Sequence, residues 1–209
     1  MSMTVDFRIF LDVNKKDMPL MLERALNALL QKGARFDENL LPLRYPSIKD
    51  LPGLREISNE MIFENRFEPH LSPNLVYKKL SFAFTYSFSL SYQCIFVFSD
   101  QSAMRPTHEN NRVRAENLIE VAKIIWESLP LNAKIFGVAD LEYSLEDFEK
   151  EVSDVKKISE PLFYWFTFYG ESLSKNIKFQ KYMIKDFRVE KVHGGVMVVR
   201  KELPEYIVG

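Results

Sequence analysis

From Leu80 to Tyr92 the chain reads LSFAFTYSFSLSY, with a large apolar residue at every even position and Ser, Ala or Thr at every odd one. Side chains on a β-strand alternate faces with a period of two, so this stretch writes one aromatic face and one face of small groups. A helix would scatter the same residues around its circumference. The segment therefore predicts a strand that runs through or turns near Ser87–Ser91. The run CIFVF (Cys94–Phe98) follows at once, and its continuous apolarity fits a central strand covered on both faces.

The remaining punctuation supports a sheet with helices packed on it. Val5, Phe7, Ile9 and Leu11 alternate in a first strand. The next segment predicts a helix, with Asp17 as N-cap, Pro19 in its first turn and Gly33 beyond its end. Leu22, Ala25, Leu26, Leu29 and Leu30 form its apolar stripe. Residues 34–76 hold five of the ten prolines and read as a covering connection with one short helix near Leu54–Phe63. A second amphipathic helix, with Val113, Leu118, Val121, Ile124, Ile125 and Leu129 near one face, stops at Pro130. A strand over Ala133–Leu141 comes next, then a helical turn from Ser144 whose Ser144–Asp147 spacing is a capping-box variant. The last third reads as strand LFYWFTFYG, helix ESLSKNIKFQKYMI, and strands FRVEKV and VMVVR joined across His193-Gly194-Gly195. Paired glycines between alternating runs signal a hairpin. The expectation is an α+β fold: a single domain over residues 1–209, with a mixed, mainly antiparallel sheet and a C-terminal strand–helix–hairpin.

Charge and composition exclude some function classes. The 209 residues carry 28 Lys plus Arg against 29 Asp plus Glu, a formal net of −1, so the basic excess of a nucleic-acid binder is missing. Cys94, the single cysteine, has no partner for an internal disulfide and sits in an apolar run, which reads as a buried inert thiol in a reducing compartment. No stretch reaches the roughly 20 apolar residues of a membrane helix, and MSMTVDFRIF lacks the basic and apolar segments of a secretory signal. The expected location is the cytoplasm, with no membrane partner.

Motifs for chemistry fail at specific positions. His70, His108 and His193 lack metal-ligand spacing, and His108-Glu109 begins an HExxH whose fifth position is Arg112. Gly170-Glu171-Ser172-Leu173-Ser174 sits between a strand and a helix like a GxSxG elbow, but the second glycine is replaced by Ser174. Neither GxxxxGK[ST] nor GxGxxG occurs. No catalytic residue, metal or cofactor is expected. Acidic residues from Asp140 to Val155 read as a solvated helical face that would also suit a basic partner. Arg105, Arg112 and Arg114 make a basic spot on and after the polar loop that precedes the second amphipathic helix. The residues singled out for binding are Arg105, His108, Arg112, Trp165, Tyr169 and Glu171.

The order of IFGVAD (Ile135–Asp140), the aromatic strand FYWFTFYGESL, a helix and the hairpin VEKVHGGVMV resembles immunity-protein-like α+β families of bacterial toxin systems. These include the type VI secretion immunity and Imm52-like groups, and related-looking proteins occur in archaea; the resemblance spans about residues 112–200. It implies a non-enzymatic binding protein that neutralises a toxin by blocking its active site, with Trp165, Gly137, Gly170, Gly194 and Gly195 structural. Two further readings stand beside it. One is an enzyme or small-molecule binder with a pocket beneath segment 34–76, collecting Arg105, His108 or Glu171. The other is a homodimer or larger homo-oligomer joined through a sheet edge such as the aromatic strand.

Overall fold

The structure, a computed structural model, describes residues 4–41, 45–63, 73–100, 110–179 and 186–202. Strands β1 (Thr4–Leu11), β2 (Arg35–Phe36), β3 (Asn74–Tyr77), β4 (Leu80–Ser89), β5 (Tyr92–Asp100), β6 (Lys134–Leu141), β7 (Phe166–Gly170), β8 (Phe187–Val192) and β9 (Gly195–Arg200) form one nine-stranded sheet. Its order is β2-β3-β4-β5-β1-β6-β7-β9-β8, and every pairing described is antiparallel. The α+β architecture is as the hydrophobic patterning requires. The helices are α1 (Met18–Gln31), α2 (Leu54–Phe63), α3 (Asn110–Ser128), α4 (Glu142–Glu151) and the single turn α5 (Glu171–Ser174).

The alternation of β1 divides the molecule into two layers. Val5, Phe7, Ile9 and Leu11 point into the main core, where α1, α2 and α3 pack, together with Leu80, Phe82 and Phe84 of β4. The aromatic face of β4 is thus its helix-covered face from Leu80 to Phe84, because burying Phe82 and Phe84 removes far more apolar area from water than burying serines would, while Phe88 further along the strand stays exposed. Phe10 points the other way, into a second core with Phe136, Phe148, Tyr169, Leu173 and Val198 beneath α4 and α5. Its rings pack closely: Phe136 and Phe148 stack at 5.8 Å, and Tyr169 meets Phe136 edge-on at 5.3 Å.

Several boundaries depart from the patterning. Of the two readings of the alternating segment, the turn near Ser87–Ser91 is the one that forms: β4 and β5 are separate strands of a tight hairpin that reverses at Leu90 and Ser91, with φ of 49° and 66°. β5 lies inside the sheet, but Phe96 and Phe98 are only half-buried, so its continuous apolarity does not mean cover on both faces. Strand β7 is shorter than LFYWFTFYG, because the Leu162 N–H turns back to the Tyr169 hydroxyl at 2.6 Å. After Gly170 the helix lasts one turn, and residues 180–185 of the expected helix lie outside the described residues. Ser144 falls inside α4, whose N-cap is Leu141, so it caps nothing. Asp17 ends a short 3-10 turn (Lys15–Asp17), has helical φ and ψ, and makes no side-chain cap. The aromatic strand β7 lies between β6 and β9, which removes it as a free edge for pairing between copies.

The glycine hairpin forms as its sequence requires, for two different reasons. Gly194 takes φ of 73°, a turn conformation that a side chain resists. Gly195 lies on β9 opposite Gly170, and a Cβ there would overlap the Tyr169 carbonyl oxygen. Only a residue without a side chain lets β9 approach β7 at that point.

Candidate functional site

Two surfaces bring polar chemistry together. The first is the face of β4 and β5 turned away from the helices. Here Ser81, Ala83, Thr85, Ser87 and Ser89 of β4 form a floor of small groups, with Phe98 opposite Ala83 and Phe96 opposite Thr85 in register. The two rings lie 5.3 Å apart and both are half-buried. None of these residues belongs to either core cluster, although Ala83 and Thr85 are buried and Ser89 bonds Glu149 of α4. Arg8 of β1 borders the face, its guanidinium 5.1 Å from the centre of the Phe96 ring. It also binds Glu149 of α4 and lies 3.4 Å from Asp6, while the Ser89 hydroxyl donates to Glu149 at 2.6 Å.

Asp6 is 1% exposed and stands directly opposite Asp140, itself buried, across the β1–β6 ladder. Like charges in register repel, so the arrangement needs compensating donors. Arg8 is one, the Thr4 hydroxyl donates to Asp6 at 2.9 Å, and the Leu141 N–H donates to Asp140 at 2.9 Å.

The second surface is a cleft of about 540 Å³ at the end of the sheet where β1 finishes and β6 begins. Asp12, Leu131, Asn132, Lys134, Lys156 and the α5 segment from Glu171 to Asn176 line it. Lys156 pairs with Asp12 at 2.6 Å and Lys175 with Glu171 at 2.8 Å, all near the surface. Lys134 is different. It is 3% exposed, and its ammonium donates to the carbonyls of Trp126 (2.9 Å) and His193 (2.8 Å), 5.1 Å from the Trp126 ring. Burial pulls its pKa from the ordinary 10.5 down to about 8, against a smaller upward pull from Glu127.

The residues singled out from the sequence do not converge. Arg105 and His108 lie outside the described residues. Arg112 is exposed on the first turns of α3, paired with Glu116 at 3.3 Å. Trp165 is sealed in the main core and Tyr169 in the second. Burial drives the Tyr169 hydroxyl up to about 12, so it stays protonated. Glu171 alone reaches the cleft, its carboxyl held below the usual range by hydrogen bonding to Lys175. None of the described residues of segment 34–76 lines the cleft. Cys94 is fully buried and its thiol is pushed up to about 12 by desolvation, which removes it as a nucleophile at neutral pH. Among the described residues no group of three or more His, Cys, Asp or Glu is placed to hold a metal ion.

Lys134 and Arg8 were the functional candidates that motif reading passed over. Lys134 heads the strand KIFGVADL, apolar but for Asp140, and Arg8 and Asp6 occupy the polar positions of an alternating strand. A cation at the head of a strand buried along its whole length was the available signal.

No family model matches the sequence, and no curated protein does. Among solved structures, the Pseudomonas aeruginosa T6SS protein PA0821 is similar to it, with 10% sequence identity and a TM-score of 0.49. The similarity covers 94% of this chain, which spans 64% of the length of that one. No described helix is long and apolar enough to cross a membrane.

Proposed function

We propose that the protein is a non-enzymatic protein-binding module, immunity-like in the sense that the C-terminal pattern of strands and glycines suggests, and that its partner docks on the face of β4 and β5 turned away from the helices. The observation that carries this reading is the Phe96–Phe98 pair. Two half-buried rings on a floor of small side chains offer apolar area and stacking surface, and Arg8 and Glu149 supply a polar rim. Strands paired along their length hold these groups in place, so little conformational freedom is lost on docking. The buried thiol and the separation of the candidate polar residues favour binding over catalysis.

The test is affinity capture from the host lysate with tagged wild type and with Phe98→Asp, each first shown to melt cooperatively. The expected result is one stoichiometric partner that resists moderate salt and is lost with the variant. Retention of that partner by Phe98→Asp, or recovery of the bait alone, overturns the reading.

A further inference from the structure

We propose that the cleft between the start of β6 and α5 is a binding site for a small anionic molecule, one bearing a carboxylate or phosphate group, with Lys134 as the cation at its base. This is independent of the docking face on β4 and β5.

The argument begins with an imbalance. A buried ammonium is costly unless an opposite charge and hydrogen bonds compensate for its lost hydration. Lys134 has hydrogen bonds to two neutral carbonyls and the face of Trp126, but no carboxylate within salt-bridge distance among the described residues. Glu127 acts on it only at longer range. Two of its three N–H donors are used. A lysine serving only as a staple between α3 and the β8–β9 turn could sit in a closed core, yet Lys134 lines an open cleft.

The rest of the cleft suits an anion of limited size. Three lysines line it against two carboxylates, so the local charge is positive in a protein whose formal net charge is −1. Lys175 is held by an exposed ion pair, and Lys156 by an exposed ion pair and the face of the Tyr92 ring at 5.6 Å, and such exposed pairs are weak and easily exchanged for a ligand group. Asn132 and Ser172 add neutral donors, and Asp12 and Glu171 can accept from a ligand's hydroxyl or amino groups. A volume of about 540 Å³ matches small-molecule sites and is too small for a folded partner.

The probes are inorganic phosphate and citrate, added to the intact protein at pH 7 and compared with sodium chloride at equal ionic strength. Thermal unfolding is followed in wild type and in Lys134→Met. At least one probe is expected to raise the wild-type midpoint along a saturating curve, with half-saturation weakened about tenfold or more in Lys134→Met, or the shift lost. Phosphate also stabilises proteins by exclusion from their surface, giving an unsaturating rise common to both proteins. That outcome with both probes overturns the proposal. If Lys134→Met does not fold, the Lys134 Cε NMR resonance of wild type decides. Movement along a saturating curve with either probe supports the site, and a fixed resonance with both overturns it.

Discussion

Glu120 and Lys123 lie one turn apart on α3, yet they hold opposite ends of the sheet. Glu120 accepts from the Tyr77 hydroxyl of β3 at 2.7 Å and from Lys78, while Lys123 donates to Glu190 of β8 at 2.7 Å. In the sheet order β3 and β8 are seven strand spacings apart, about 34 Å if the sheet were flat. The two helical positions differ by only about 5 Å along the axis. The sheet therefore curves around α3, and the helix ties its two sides together. That curvature explains how three helices fit on one face and why the opposite face is left convex at β4 and β5.

The tether at β3 makes a stability prediction. Tyr77→Phe keeps the buried ring and removes one hydrogen bond to a carboxylate, which should cost about 1 kcal/mol in urea denaturation. Hydrogen bonding to Lys78 lowers the folded pKa of Glu120 below its ordinary 4.5. Its contribution is therefore full above pH 4.5 and is lost as pH falls through the folded value. The difference between wild type and Glu120→Gln should shrink on acidification; a difference constant from pH 7 to pH 3 would show that the tether carries no stability.

Lys134 predicts a slope of the same sign at the alkaline end, from a charge that burial penalises rather than one that an ion pair favours. Its folded pKa of about 8 lies below the ordinary 10.5, so between these values the unfolded chain binds more protons than the folded one. Stability from this group rises with pH across that window, by about 3 kcal/mol in all if the shift is realised in full. Tyr164 and Tyr169, raised to about 12, act against it above pH 10. The quantity to measure is therefore the difference in unfolding free energy between wild type and Lys134→Met, which should move in favour of wild type from pH 8 to 10. No change over that range would mean the ammonium is well compensated when buried.

Glycine substitutions separate turn geometry from close approach. Gly195→Ala places a methyl against the Tyr169 carbonyl, a backbone atom that can yield only if β9 moves away from β7. A loss of several kcal/mol, or no soluble protein, is expected. Gly53→Ala is the control: nothing lies within 4 Å of its would-be Cβ, and its effect should stay within about 0.5 kcal/mol. Thermal melts of both variants decide the matter, and equal effects would contradict the close approach of β7 and β9.

The parts of the fold that were legible follow from side-chain period and turn chemistry. The alternation of Phe82 and Phe84 with Ala83 and Thr85 assigned β4 its two faces, Leu22, Ala25, Leu26 and Leu29 placed α1, and His193-Gly194 placed the last turn. Boundaries set by tertiary bonds were not legible. Nothing local says that the Tyr169 hydroxyl takes the Leu162 N–H and ends the strand early. Nor could the sequence show which polar residues meet. Trp165 and Tyr169, singled out for binding, fill cores, as the resemblance implied for Trp165, whereas Lys134 reaches a cleft formed with residues 37 and more positions away between Glu171 and Asn176.

Arg8 supplies the last prediction. It binds Glu149, approaches Asp6 and lies against Phe96, so it compensates carboxylates on the very face proposed for docking. Removing one partner from a buried ion pair leaves the other charge stranded, at a typical cost of about 3–5 kcal/mol. Arg8→Met should therefore be strongly destabilising, because Asp6 is left facing Asp140 across the β1–β6 ladder. Arg8→Lys should recover only part of this, since a single ammonium cannot reproduce the fork that reaches both Asp6 and Glu149. Adding Asp6→Asn to Arg8→Met removes one of the two carboxylates that face each other across the ladder and should restore part of the loss. Urea denaturation of wild type, Arg8→Met, Asp6→Asn and the double variant closes a double-mutant cycle. A strictly additive cycle would refute the coupling of Arg8 to Asp6, and recovery in the double variant would identify charge repulsion between β1 and β6 as what Arg8 holds in check.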